Sequence, residues 1–199
     1  GIILANVGKP ARQDEPAVAG AYFEAEGIPF LGAITGDGRI EGGDVVWFDE
    51  RTLAVAIGAR TNAEGIEQLI ALLGPEMTVV AVPLPDWRAP GDVFHLMSVI
   101  SPLDHDLALV YPPLMPPAFL DWLRGRGIRL LSVPDEEFES MGGNVLALAP
   151  RHVVMVSGNA RTRALMEAAG VDVGTFDGAE ICAKGCGGPT CLTRPLVRG

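Results

Sequence analysis

Three side chains in this sequence have the types that covalent catalysis requires: the thiol of Cys191, the imidazole of His95 and the carboxylate of Glu41. A thiolate attacks carbon, an imidazole moves protons near neutral pH, and a carboxylate orients the imidazole and stabilises its charged form. Each has a plainer reading too. His95 stands in the apolar run Phe94-His95-Leu96-Met97, where a histidine often serves the core, and Cys191 follows Gly187-Gly188-Pro189-Thr190, where a small residue suits a turn. Cys182, Cys186 and Cys191 crowd into ten residues. An odd number of closely spaced cysteines argues for free thiols in a reducing compartment rather than a disulfide framework. Zinc is the competing use, but C-x3-C-x4-C lacks the usual C-x2-C pair and a fourth ligand would have to come from far away, so no metal is expected. Cys182 and Cys186 then read as bystanders in the loop before Cys191, with a redox role open to either.

The phase of the elements around these residues favours chemistry. Strand-like segments bounded by Gly and Pro alternate with helix-like ones at a regular period. A first full unit runs from Gly38 through a strand pair, Val45–Phe48 and Thr52–Ile57, turning at Asp49-Glu50-Arg51, into a helix Thr61–Leu73. A second opens with Val93-Phe94-His95-Leu96-Met97, turns at Pro102-Leu103-Asp104, ends its strand pair at Tyr111 and continues into a helix Pro117–Arg126. A third opens with Met141-Gly142-Gly143-Asn144, pairs Val145–Leu148 with His152–Val156, and closes with a helix Arg161–Ala169; a last unit ends in Gly187-Gly188-Pro189-Thr190-Cys191-Leu192. Aligned this way, Asp44, Met97, Asn144 and Thr193 recur at roughly fifty residues, a period typical of repeat architectures. Glu41-Gly42-Gly43-Asp44 echoes Met141-Gly142-Gly143-Asn144, and Arg60-Thr61-Asn62 echoes Arg161-Thr162-Arg163 at helix starts, where Thr or Asn caps free amides. The fold class expected is α/β: ββαβ modules around a pseudo-symmetry axis, with Glu41, His95 and Cys191 in nearly equivalent positions facing one central site.

Composition narrows the partners. With 25 acidic against 15 basic residues and a net charge of −10, the field repels nucleic acid and anionic lipid, so a small-molecule partner is expected, with neither nucleic acid nor membrane, and homo-oligomerisation open. No apolar run approaches the roughly 20 residues that span a bilayer. Gly1-Ile2-Ile3-Leu4-Ala5-Asn6 lacks the pattern of a secretory signal, which favours a cytoplasmic setting. That segment already reads as the body of a strand, so the chain is expected to continue upstream of Gly1.

Taken together, Glu41-Gly42-Gly43-Asp44, the stretch Arg60-Thr61-Asn62-Ala63-Glu64-Gly65, Phe94-His95-Leu96 and the run from Gly187 to Leu196 around Cys191 resemble the guanidino-group-modifying, or pentein, superfamily of arginine deiminases, amidinotransferases and dimethylarginine dimethylaminohydrolases. The resemblance implies a pentein-like α/β propeller, a single domain over 1–199 holding about four of five modules and incomplete at the N-terminus. Gly1–Asn6 would be a strand of an earlier module, followed by Lys9–Glu15 and a helix Pro16–Glu26.

It also implies roles. Cys191 would attack a guanidinium carbon, His95 would protonate the departing amine and then activate water, and Glu41 would hold His95, giving a ureido product such as citrulline with no cofactor. Arg60 resembles the arginine that grips a substrate carboxylate, for which its planar fork is suited, and Arg12 is a second candidate. Asp44 is placed either against ligand or tying down its turn. Met97 stands where arginine deiminases and amidinotransferases carry Asp, which leans toward the dimethylarginine branch; arginine or agmatine deiminase, amidinotransferase and a non-catalytic pentein-like binding module are the alternatives.

Overall fold

The computed structural model describes residues 1–87 and 94–196, and the chain divides into two compact units, Gly1–Leu96 and Met97–Gly199.

In the first unit, β1 (Ile2–Leu4) and β2 (Phe30–Ala33) pair in parallel, joined through α1 (Glu15–Ala25). Then β3 (Val45–Asp49) pairs antiparallel with β4 (Thr52–Ile57), and α2 (Ala63–Leu73) returns the chain to β5 (Thr78–Pro83), which lies parallel to β4. Central β4 is apolar and buried over Leu53–Ala56 without alternation, as a strand covered on both faces must be. Helix α2 turns Ile66 and Leu69 inward at helical spacing, onto Leu53, Val55, Ile34 and Ile40. It starts at Ala63, two residues after the expected Thr61, because the Asn62 side chain accepts the Gly65 amide at 2.9 Å and caps it.

The order repeats in the second unit. After α3 (Leu96–Val99), a single turn, β6 (Ile100–Asp104) pairs antiparallel with β7 (Leu107–Val110), and α4 (Pro117–Gly125) leads to β8 (Arg129–Ser132), parallel to β7. Past α5 (Asp135–Phe138), β9 (Val145–Ala149) and β10 (His152–Val156) form the third hairpin, and α6 (Ala160–Ala168) leads to β11 (Asp172–Phe176), parallel to β10. Leu103, Leu109, Leu131, Val153, Met155 and Met166 lie among the core of this unit.

All three hairpins share one irregularity. Phe48, Leu103 and Leu148, each one residue before the end of its first strand, have no partner across the ladder, so each pair carries a bulge at the same phase before a two-residue loop. This makes the repeat physical rather than only textual. It also corrects two expectations. The second turn falls at His105-Asp106 rather than Pro102-Leu103-Asp104, because β6 is an edge strand that tolerates Pro102, while Leu103 is a buried bulge residue. Leu96 and Met97 belong to a helical turn, not to the opening of a strand, and Val93 lies outside the described residues.

Candidate active site

In the first unit, the loop before β3 places Glu41, and the approach to α2 places Arg60 and Thr61 beside it. Glu41 is buried, its side chain 5% exposed, yet both oxygens are used: Oε2 lies 2.9 Å from His95 Nε2 and Oε1 accepts from Arg60 Nη1 at 3.1 Å. Burial alone would raise this carboxyl, but hydrogen bonds from His95 and Arg60 outweigh it and leave it below its ordinary value of 4.5. Glu41 therefore stays an anion with the His95 ring held on one oxygen and the Arg60 guanidinium on the other.

Asp44 backs this pair from the interior. Its Oδ1 accepts the Leu96 amide at 3.2 Å, next to His95 in the chain, and its Oδ2 accepts the Thr61 hydroxyl at 2.6 Å. Thr61 in turn accepts the Glu41 amide at 3.1 Å. Burial pushes the Asp44 carboxyl above its ordinary value of 3.8 despite these bonds. Gly43 completes the packing, since a Cβ there would lie 2.8 Å from His95 Cγ. The structure thus places Glu41, Asp44, Arg60 and His95 in one connected group. The Arg12 guanidinium pairs with Glu15 at 2.7 Å, both side chains about half exposed, and also feels the charge of Glu41.

The second unit holds Cys191 in a loop after the π-helical turn Ala179–Ala183. The residue is exposed, and its Sγ receives a hydrogen bond from Asn144 Nδ2 at 3.3 Å. Asn144 Oδ1 accepts both the Thr190 amide at 3.0 Å and the Thr190 hydroxyl at 2.8 Å. Cys182 is buried, which pushes its thiol up, and Cys186 is exposed. Among the described residues no three His, Cys, Asp or Glu side chains are grouped to hold a metal, and no described helix is long and apolar enough to cross a membrane.

Sequence reasoning marked Asn144 only as a point of the repeat, and passed over Thr61 and Thr190 as site residues. The available signal was the echo between Glu41-Gly42-Gly43-Asp44 and Met141-Gly142-Gly143-Asn144, since the last residue of each sequence braces the backbone beside a chemically able side chain. Glu137 was missed as well. It sits in α5, buried, and its carboxylate accepts the Arg161 and Thr162 amides at 2.9 and 2.7 Å, doing for α6 what Asn62 does for α2.

Known proteins share this sequence and fold. Over 98% of its length the chain is 33% identical to YkgA, an uncharacterised protein of Bacillus subtilis (strain 168), covering 65% of it. Over 80% of its length it is 31% identical to the arginine deiminase of Rhodococcus jostii (strain RHA1), covering 46% of that enzyme. The chain thus spans from about half to just under two thirds of these curated relatives. Among solved structures, dimethylarginine dimethylaminohydrolase as an adduct with S-methyl-L-thiocitrulline matches with TM-score 0.78 and 25% identity, over 96% of this chain and 69% of that one. The same enzyme from Pseudomonas aeruginosa, a variant complexed with citrulline, matches with TM-score 0.73 and 25% identity, over 89% and 64%. The product-bound N-terminal domain of ArgZ, an arginine dihydrolase of cyanobacteria, shares the fold at TM-score 0.85 and 23% identity, over 98% and 70%. The arginine deiminase family model matches residues 1–123 and 117–198, and with that coverage and the relatives' identities the chain belongs to the arginine deiminase family.

Proposed function

We propose that the protein hydrolyses a guanidino compound through a covalent bond to Cys191, acting as a small-molecule enzyme of the cytoplasm. The observation that carries this reading is the buried Glu41 carboxylate bonded at once to His95 and Arg60, in a chain of the arginine deiminase family. Such a pair holds an imidazole ready to exchange protons. The Cys191 thiolate adds to the guanidinium carbon and forms a C–S bond. His95 gives its proton to the departing nitrogen, the C–N bond breaks, and an S-alkylthiouronium remains. Water then adds to that carbon, His95 takes its proton, and the C–S bond breaks to return the thiolate and release a ureido product such as citrulline. Atoms balance with water as the only co-reactant.

Dimethylarginine is the preferred substrate in this reading, with arginine next, because half-buried Met97 stands where the resemblance puts Asp in arginine deiminases. The citrulline and S-methyl-L-thiocitrulline bound in the dimethylarginine dimethylaminohydrolase structures are consistent with that choice. Arginine deiminase is the second reading, favoured by the curated relatives of that name. Arg60 donates to Glu41 through one nitrogen, and the rest of its fork is assigned to the substrate carboxylate. Asp44 is assigned to the backbone beside His95 rather than to ligand, since both its oxygens are engaged within the protein. The test is an assay of citrulline with dimethylamine or ammonia. Release of dimethylamine from dimethylarginine, abolished by C191S, supports the proposal; ammonia from arginine alone selects the second reading; no citrulline from either substrate refutes both.

A further inference from the structure

We infer that Thr61 is a positioning residue for the reaction, its hydroxyl fixing where the Glu41 carboxylate meets the His95 ring; the inference rests on the hydrolytic reading above. Thr61 is fully buried, and its hydroxyl accepts the Glu41 amide at 3.1 Å while donating to Asp44 Oδ2 at 2.6 Å. The directions follow from chemistry: a backbone N–H can only donate, so the hydroxyl accepts from it and keeps its own proton for the carboxylate. Asp44 Oδ1 accepts the Leu96 amide at 3.2 Å, which belongs to the peptide bond leaving His95, and the His95 ring returns to Glu41 at 2.9 Å. These contacts close a circuit. Within it, Thr61 ties the backbone that carries the carboxylate to the side chain that holds the segment of the imidazole.

Thr61 does not act from a loose loop. It lies between two other residues that grip the same stretch of chain. Arg60 Nη1 donates to the Glu41 carboxylate at 3.1 Å, and Asn62 holds Arg39 by its backbone, accepting its amide on Oδ1 at 2.8 Å and donating its own amide to the Arg39 carbonyl at 3.1 Å. Asn62 Nδ2 also donates to the Asp37 carbonyl at 2.8 Å. The fit is close: a Cβ on Gly65, in the first turn of α2, would lie 2.2 Å from the Arg39 carbonyl oxygen. The helix is itself seated in the core by Ile66 and Leu69, so what its start grips is given a fixed place. Arg60 acts on the carboxylate and Asn62 on the approach to it, whereas Thr61 joins the Glu41 backbone to Asp44. Without the hydroxyl, the Glu41 amide and one Asp44 oxygen would lose their partner in a buried place, and both would have to shift to recover a hydrogen bond.

The repeat supplies an internal comparison. Arg161 and Thr162 stand at the matching helix start of the third module, where Met141 takes the place of Glu41. There the pair serves the helix instead: its two amides go to Glu137 at 2.9 and 2.7 Å, and the Arg161 guanidinium pairs with Glu136. Where the entry residue is a carboxylate that meets an imidazole, the same Arg-Thr pair turns its side chains onto that residue.

The experiment compares wild type, T61S, T61V and T61A by kcat and KM for dimethylarginine and for arginine, and by NMR of the histidine ring signals, those of His95 being assigned by their loss in H95Q. T61V and T61A remove the hydroxyl, the first keeping its volume, and T61S retains it. In T61V and T61A kcat is expected to fall about tenfold to about a hundredfold, since a misplacement of about 1 Å in a catalytic group costs up to about 10²-fold. KM should stay near wild type, and the His95 signals should move while those of His105 and His152 stay in place. T61S is expected to restore both kcat and the His95 signals. Wild-type kcat in T61V and T61A overturns the proposal. So does a lost kcat with the His95 signals unmoved, which would make general stability the cause, or a T61S as slow as T61V. If wild type yields citrulline from neither substrate, the hydrolytic reading fails by itself, and the His95 signals in T61V and T61A still decide whether Thr61 places the ring.

Discussion

Glu41 and His95 stand 54 positions apart in the chain and meet at 2.9 Å between Oε2 and Nε2. The carboxylate is buried and its other oxygen is engaged by Arg60 at 3.1 Å, so it is held from both sides. The ring's orientation follows from this.

Replacing the charge while keeping the shape tests its chemical share. In E41Q the His95 ring loses its charged partner, and citrulline formation is expected to fall by about 10²–10⁴-fold, the range for a disabled acid–base group. Alkylation of Cys191 should persist, and circular dichroism should report a folded chain. Equal turnover in E41Q and wild type would remove Glu41 from the mechanism.

Glu41 and Asp44 make opposite predictions for stability against pH. The Glu41 carboxyl lies below its ordinary 4.5, so its contribution is present above that value and is lost as pH falls through the folded value. The Asp44 carboxyl is raised above 3.8 by burial, so its contribution is full below that value and is lost as pH rises through the folded one. Melting temperatures measured between about pH 3 and about pH 7 should show E41Q falling further behind wild type as pH rises and D44N gaining on it. Parallel curves for the two variants would contradict the assignment.

Gly43 is a steric statement about the ring. A methyl group there would approach His95 Cγ to 2.8 Å, closer than contact allows, so G43A should displace the imidazole. Citrulline formation is expected to drop at least tenfold, a misplaced catalytic group being costly in rate. The fall should appear in kcat more than in KM. An unchanged kcat would show that the ring does not need this position.

Helix α6 lacks a side-chain cap of its own and borrows Glu137. In E137A two helix-start amides lose their acceptor, and urea unfolding should show a loss of about 1–2 kcal/mol. E137Q, which keeps an acceptor, should lose less. Equal losses would mean that packing, not capping, explains the residue.

The repeat was legible because period and punctuation agree: apolar β-branched runs and helical spacing recur in step, the hairpins at Val45, Ile100 and Val145 follow them, and those at Val45 and Val145 share a Gly-Gly entry. Turn positions were less legible wherever a bulge intervened. Pro102 and Asp104 look like turn formers, yet an edge strand accommodates the first and the loop begins after the second. Residue types pointed to Glu41, His95 and Cys191 as chemically able, since few side chains can carry such chemistry. The bracing roles of Thr61 and Glu137 were not legible, because a buried hydroxyl or carboxylate that satisfies backbone amides has no distinctive spacing. Their role depends on which distant loop is folded against them.

The most direct measurement is to trap the intermediate. On the proposed mechanism, substituting His95 by glycine removes the group assigned to water activation, so incubation with S-methyl-L-thiocitrulline, whose thiol leaving group departs without a strong acid, should leave the amidine carbon attached to the protein. Mass spectrometry is expected to find a stoichiometric adduct on the peptide containing Cys191 and none on those containing Cys182 or Cys186. An adduct on another residue, or no adduct while wild type turns over, would contradict Cys191 as nucleophile.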